Sequence, residues 1–323
     1  MRAIQVDSYG GPDALVAADV DAPRPGPGQV LVDVAASGVN YIDTYHRSGV
    51  YPIPLPLIPG QEGAGTVAAV GEGVGEPRVG ARVAWAAAAA SYAEQVVVDA
   101  ARTIPVPDGV GDDVAAALPL QGLTAHYLCT STYAVQPGDD TLVHAAAGGV
   151  GLLLTQMIKL RGGRVIATVS TDEKAELARG AGADDVIRYD QVDFGPETRR
   201  LTGGRGVAVV YDGVGQTTFD ASLSSLRPRG MMVLYGGSSG PVPPFDPQRL
   251  NAGGSLFLTR PKLGDYTATR DELLARAQEI LAWVAAGQLD VRIGGRYPLS
   301  DARRAHEDLQ GRRTTGKLLL LPR

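Results

Sequence analysis

Short apolar runs broken by glycine and proline fill the first third of the chain. Their alternation predicts strands at 2–6, 30–35, 65–70, 81–85 and 93–98. The proline-rich stretches 22–28 and 51–56 between them cannot be helix interiors. A compact, mostly β domain is the natural reading. Helical spacing begins at 112–117 and again from Gln121 to about Ser131. From there strand patterns at 141–145, 164–169, 185–189, 207–214, 231–236 and 255–259 alternate with helical stretches, which predicts a parallel, doubly wound sheet. An amphipathic helix at 271–286 puts Leu273, Leu274, Ala277, Ile280, Leu281 and Val284 on one face. Strands at 295–299 and 317–321 flank a helix at 301–309 and are best used by returning to the first domain. The expected division is therefore 1–122 with 266–323, and an inserted 123–265.

Composition changes this picture little. The 323 residues include 42 glycines, and the net charge of −5 gives no electrostatic case for nucleic acid or an anionic membrane. The longest aliphatic run, near Trp85, is far short of a membrane span. The first residues read as a strand rather than a signal peptide. A single cysteine, Cys129, rules out an intramolecular disulfide or a thiolate zinc cluster within one chain, and reads as a small buried hydrophobe. The expectation is a cytoplasmic protein.

The chemistry concentrates between Thr141 and Gly151. Leu142 to Ala146 is strand-like and runs straight into glycines, after which Val150 to Leu160 continues with helical spacing. Gly148 and Gly151 take the second and third glycine positions of the dinucleotide fingerprint, with Ala146 at the first and Gly149 and Val150 between. Backbone N–H groups and the helix N-terminus there suit a pyrophosphate. A tight turn in any α/β protein is the competing reading. About twenty residues on, where NAD binding expects an acid, stands Ser170, followed by Thr171, Asp172, Glu173 and Lys174. Ser170 and Glu173 would form a capping box, with Lys174 a solvated neighbour. The missing acid and Lys174 also suit a 2′-phosphate, which favours NADP, while Asp172 and Glu173 argue against it.

The order of parts, with Gly38, Asn40, Asp43, Tyr45, Arg47, Gly49 and Tyr51, then Pro59 to Gly65, Gln121 to Tyr127, His144 to Gly151, Ala305 to Glu307 and Thr315 to Lys317, resembles the medium-chain dehydrogenase/reductase superfamily. Within it the chain is similar to the zinc-free, zeta-crystallin-like quinone oxidoreductases. The resemblance implies a GroES-like β-barrel catalytic domain plus a Rossmann domain. Zinc-dependent relatives carry a cysteine ligand near Asn40 and a His-Glu pair where Gln61 and Glu62 stand, and the cysteine-rich zinc lobe is absent. The four histidines have no metal-ligand spacing and read as core or surface residues. The resemblance places Asn40, Tyr45, Gln61 and Thr124 near the nicotinamide, in a cleft between the domains. It places Ser170, Lys174 and Tyr189 around a 2′-phosphate, and Thr315, Gly316 and Lys317 over the cofactor. Asp43 and Arg47 form either part of the wall or a structural ion pair.

Without a zinc, hydride transfer from NADPH needs an acceptor that is already electrophilic, and a quinone fits. Hydride addition to an enone or 2-enoyl thioester must be completed by protonating carbon, for which Tyr51 is the candidate donor, unless it only packs at the cleft mouth. A non-catalytic NADPH-binding protein is the third reading. The apolar segment 255–259, last in the sheet's strand order, predicts pairing into a homodimer.

Overall fold

The computed structural model describes residues 1–322. The strands in chain order are β1 (Arg2–Gln5), β2 (Val16–Asp19), β3 (Gln29–Val39), β4 (Glu62–Val70), β5 (Arg82–Trp85), β6 (Gln95–Asp99), β7 (Thr103–Pro105), β8 (Asp140–Val143), β9 (Arg164–Val169), β10 (Asp185–Arg188), β11 (Val207–Asp212), β12 (Leu226–Leu234), β13 (Phe257–Thr259), β14 (Ile293–Pro298) and β15 (Lys317–Leu321). The helices are α1 (Tyr41–Ser48), α2 (Asp112–Ala117), α3 (Pro119–Tyr127), α4 (Gly149–Leu160), α5 (Asp172–Gly180), α6 (Phe194–Leu201), α7 (Phe219–Ser225), α8 (Gln248–Ala252), α9 (Leu263–Tyr266), α10 (Arg270–Ala285) and α11 (Ala302–Gln310). Contacts divide the chain into two compact units, one of Met1–Leu123 with the segment from Thr267 onward, the other Thr124–Tyr266.

The Thr124–Tyr266 unit is built on a six-stranded sheet in the order β10-β9-β8-β11-β12-β13, parallel at every pairing. Its central strands β8, β9 and β11 are buried along nearly their whole length, as a sheet covered on both faces requires. Leu142, Ile166, Val207 and Val210 pack with Phe194, Phe219 and Leu223 from the helices. The edge strand β13 leaves Phe257 56% exposed. The helical reading of 121–131 meets a correction. The α-helix ends at Tyr127 and Leu128–Thr132 widens into a π turn. There the Thr130 hydroxyl donates to the His126 carbonyl at 2.7 Å, competing with the backbone ladder.

The other unit holds a seven-stranded sheet, β14-β15-β3-β4-β5-β7, with β6 also paired to β3. The 11-residue β3 is its hub, antiparallel to β4, β6 and β15, so the two C-terminal strands do join the N-terminal sheet. Valines from β3, β4, β5 and β6 fill one core around Trp85.

A second core carries a polar chain that fixes α1. The Arg47 guanidinium donates to His306 Nδ1 at 3.1 Å, and His306 Nε2 lies 3.0 Å from the Tyr92 hydroxyl. Tyr92 in turn donates to Asp43 Oδ2 at 2.9 Å. Because arginine only donates and the tyrosine proton is spent on the carboxylate, His306 must be neutral with its proton on Nε2. Asp43 and Arg47, read from sequence as a wall or an ion pair, are joined through these two rings instead. Burial, helped by Arg47, pushes His306 down to about 3, and burial raises Asp43 to about 6.

A depressed histidine withholds stability as acid is added. Its contribution is present above the unfolded value of about 6.5 and drains as pH falls toward the folded one. Asp43 acts the opposite way over the same interval, so the histidine is read by difference. Between about pH 7 and about pH 5 the wild type should lose roughly 2 kcal/mol more unfolding free energy than His306→Gln. Urea titrations at several pH values measure this, and parallel slopes would remove His306 from the acid response.

Candidate active site

The glycine turn sits at the C-terminal end of β8. His144 closes the strand with its N–H on the Tyr211 carbonyl, and Ala145 takes a left-handed φ of 50°. Gly148 then becomes the N-cap of α4, with no side chain capping it. The first N–H groups of a 12-residue helix, those of Gly149, Val150 and Gly151, therefore have no capping side chain. A Cβ on Gly151 would stand 2.4 Å from the Ala145 carbonyl oxygen and 2.7 Å from Ala146 Cα, so only glycine lets helix and strand approach this closely. Close backbone, uncapped donors and a helix N-terminus fit a dinucleotide pyrophosphate.

Ser170 and Tyr189 follow the neighbouring strands β9 and β10, whose register pairs Arg188 with Val169, and the Tyr189 N–H bonds the Val169 carbonyl at 3.2 Å. The two residues thus sit side by side at one edge. The capping box expected from Ser170 and Glu173 is not made: Thr171 is the N-cap, and its hydroxyl accepts from the Lys174 N–H at 3.2 Å. That leaves Ser170 outside the helix and puts Lys174 in its first turn. Sequence reading missed Arg188, which pairs with Asp172 and, at 2.6 Å, with Asp190. Of the two acids that argued against a phosphate here, Asp172 is thus paired with a guanidinium.

In the other unit Asn40 begins α1 with its N–H on Asp43 Oδ2 at 2.8 Å, so it has a helix reason to be there as well as a chemical one. Its side chain is clamped. Nδ2 donates to Glu62 Oε1 at 2.7 Å, while Oδ1 accepts from Lys317 Nζ at 2.8 Å and from Gln121 at 3.3 Å. Lys317 and Glu62 are an ion pair, 1% and 0% exposed. The other Glu62 oxygen accepts the Leu120 N–H at 2.7 Å. Burial presses the Lys317 ammonium down to about 7, and Asp43 opposes the shift. Lys317 is thus a buried amine behind Asn40, set against the Glu62 carboxylate. Gly316 before it has a φ of +67° and would meet the Arg292 carbonyl with any Cβ.

Tyr45 and Tyr51 pack edge to face, 5.4 Å between ring centroids, and the Tyr51 N–H bonds the Tyr45 carbonyl at 3.3 Å. Tyr51 is 44% exposed. The Gln61 amide lies 3.5 Å from His46 Nδ1. Thr124 is buried on α3. All four histidines are core residues. Among the described residues no three His, Cys, Asp or Glu side chains gather as a metal site.

The Alcohol dehydrogenase GroES-like domain family matches residues 26–108, and the Zinc-binding dehydrogenase family matches 149–268. The chain is 44% identical to a quinone oxidoreductase of Pseudomonas aeruginosa over 99% of both sequences. It is 42% identical to a 2-haloacrylate reductase of a Burkholderia species, over 100% of this chain and 99% of that one. A mycobacterial structure solved in complex with NADPH superimposes with a TM-score of 0.98, at 53% identity over the whole of both chains.

The buried pair beside Asn40 generates a stability test. Removing one partner leaves an uncompensated charge in the core, at a cost of about 3–5 kcal/mol, whereas removing both is far milder. Lys317→Met should lose about that much unfolding free energy in urea, and adding Glu62→Gln should restore most of it. Additive losses would mean that the two charges do not compensate each other.

Proposed function

The chain belongs to the quinone oxidoreductase family of the medium-chain dehydrogenase/reductase superfamily, and on that premise we propose that it is an NADPH-dependent quinone oxidoreductase working without a metal. The observation that carries this reading is the clamped Asn40 carboxamide. It stands where zinc relatives place a thiolate, and amides such as those of Asn40 and Gln61 are poor zinc ligands. A cation is nevertheless present behind it, because Lys317 occupies the amide oxygen.

The glycine turn and the α4 N-terminus hold the pyrophosphate, and Ser170, Lys174 and Tyr189 surround the 2′-phosphate. Bound there, NADPH supplies the hydride. With Nδ2 giving one hydrogen to Glu62 and Oδ1 taken by Lys317 and Gln121, Asn40 keeps one N–H for the acceptor's oxygen. The ammonium polarises that amide, so the N–H meets negative charge growing on the oxygen without any reorganisation. Tyr45 and Gln61, in the same unit as Asn40, are the residues proposed to line the acceptor's side of the site. The product oxygen has a phenol-like pKa of about 10 and takes its proton from solvent. Such a reaction belongs where NADPH is regenerated, in the cytoplasm.

A second reading, reduction of an activated alkene, is favoured by the similarity to a 2-haloacrylate reductase. Such a substrate must be protonated on carbon, and Tyr51, half-exposed and braced on Tyr45, is the donor. NADPH oxidation with benzoquinone, against an enoyl thioester and a haloacrylate, separates the readings. Tyr51→Phe should lower quinone turnover by less than about tenfold, but an alkene reductase by about 10²–10⁴-fold. Robust alkene reduction that collapses in this variant, with negligible quinone turnover, would transfer the assignment. NADPH binding with turnover of none of these would leave a binding protein.

The exposed β13 edge supports a homodimer closed by antiparallel pairing of that strand about a two-fold axis. Light scattering at micromolar concentration should give twice the mass of one chain. Phe257→Asp should reduce it toward the monomer, and a monomeric wild type would rule out the pairing.

A further inference from the structure

Beneath the glycine turn lies a second buried polar chain, made of residues that the proposed chemistry does not use. The Asp212 carboxylate at the end of β11 is 0% exposed. Its Oδ1 accepts the N–H groups of Val214 at 2.7 Å and Gly215 at 3.0 Å. Its Oδ2 accepts the hydroxyls of Thr218 at 2.7 Å and Ser222 at 3.0 Å. The Ser222 oxygen lies 2.9 Å from His144 Nε2, and His144 Nδ1 lies 2.8 Å from the Thr168 hydroxyl.

The direction of every bond in this chain follows from proton counting. An ionised carboxylate only accepts, so the single Ser222 proton points at Asp212. Ser222 must then accept from His144, which puts the imidazole proton on Nε2 and leaves Nδ1 to accept from Thr168. Burial, which holds His144 below its ordinary value against the pull of Asp212, agrees with a neutral ring. The order is Thr168 to His144 to Ser222 to Asp212. It is not a hydrolytic triad: the serine hydroxyl donates to the acid, the histidine faces it with a protonated Nε2 and cannot accept from it, and Ser222 is itself fully buried.

The four residues come from β9, from the residue after β8, from α7 and from the last position of β11. Each is followed or flanked by a segment at the C-terminal edge of the sheet, where open α/β sheets bind ligands. His144 directly precedes Ala145, whose left-handed φ of 50° is unusual for a residue with a side chain and persists only where its surroundings hold it. Ala146 donates its N–H to the Thr168 carbonyl at 3.2 Å, so the turn is bonded to the same residue whose hydroxyl holds His144. Ser170 lies two residues past Thr168.

We propose that the Thr168–His144–Ser222–Asp212 chain is a positioning device for the dinucleotide, clamping the ends of β8, β9 and β11 so that the glycine turn, Ser170 and the Val214–Gly215 loop are set before the cofactor arrives. The inference rests on the NADPH reading of this site and names residues that reading does not contain. None of the four is a catalytic residue. They act through the backbone they hold, so their loss affects pyrophosphate and nicotinamide binding alike and is blind to the 2′-phosphate.

Two measurements test it. Dissociation constants for NADPH and NADH are taken by fluorescence titration of wild type, Ser222→Ala, Asp212→Asn and Lys174→Ala, with circular dichroism and thermal melts confirming that each is folded. Ser222→Ala and Asp212→Asn should weaken both cofactors by the same factor, about tenfold or more, the weight of one hydrogen bond to a charged group. Lys174→Ala should weaken NADPH alone. Folded Ser222→Ala that melts lower yet binds both cofactors as tightly as wild type overturns the clamp and leaves a structural network. A wild type that binds neither cofactor defeats the NADPH reading itself, and the clamp's purpose with it. Should Asp212→Asn not fold, Ser222→Ala carries the comparison. The second measurement is the nitrogen spectrum of His144 in histidine-labelled protein. Wild type should show a neutral ring protonated at Nε2. In Asp212→Asn the new amide can donate to Ser222, reversing the chain and moving the proton to Nδ1. A wild-type ring protonated at Nδ1, or at both nitrogens, overturns the proposed polarity.

Discussion

The constraint on which the rest depends is the cost of burying a carboxylate. Glu62, Asp43 and Asp212 are each 0% exposed. An unpaired charge in such a place would cost several kcal/mol, comparable with the net stability of a domain. Each is answered differently. Glu62 takes an ammonium, an amide and a backbone N–H. Asp212 takes four neutral donors. Asp43 receives only two donors, both on Oδ2, while Oδ1 has no partner, and its pKa is raised accordingly. The side chains that satisfy these three acids are held rigidly because the acids cannot be left alone, and that is how ordinary stability physics fixes the site.

Both units solve the problem with the same small grammar. A neutral histidine accepts on Nδ1, donates from Nε2 to a hydroxyl, and that hydroxyl donates to the acid. Arg47, His306, Tyr92 and Asp43 form one sentence of it; Thr168, His144, Ser222 and Asp212 form the other. Only the polarity of hydrogen bonds is needed to read either chain. Each links elements distant in sequence and so converts a local demand, one buried charge, into a fixed geometry of helix and strand ends.

What was legible in the sequence follows the same division. Strands β9 and β15 and helix α2 lie where periodicity put them, because their patterns are local. The glycine turn was equally plain, since a missing Cβ at Gly151 is written in one letter. The pairings were not. Asn40 and Lys317 are 277 residues apart, and Arg47 and His306 are 259 apart. A lone histidine looks the same in a sequence whether it is inert or the centre of a network, so reading the four as core or surface residues missed two of the chains' pivots. The cap of α5 failed for a narrower reason: Ser170 and Thr171 are both good caps, and only backbone geometry chooses between adjacent candidates.

The charge distribution carries the last step. Nicotinamide chemistry on a quinone needs electropositive character where the acceptor's oxygen sits, and a metal is one way to provide it. On the proposed reading a lysine provides it at one remove. Lys317 is too deeply buried to reach a substrate and is held on Asn40 Oδ1, so its field is delivered through a planar amide that cannot be displaced by water or chelated away. Such a centre is weaker than zinc as a Lewis acid. It suits acceptors that already want a hydride, and it leaves alcohols, which need their oxygen deprotonated, without a catalyst. The same centre serves a quinone and an activated alkene alike up to the moment of protonation. On that reading the choice between them lies outside the buried cluster, at half-exposed Tyr51, where a substitution would alter the reaction without disturbing the acids that hold the fold together.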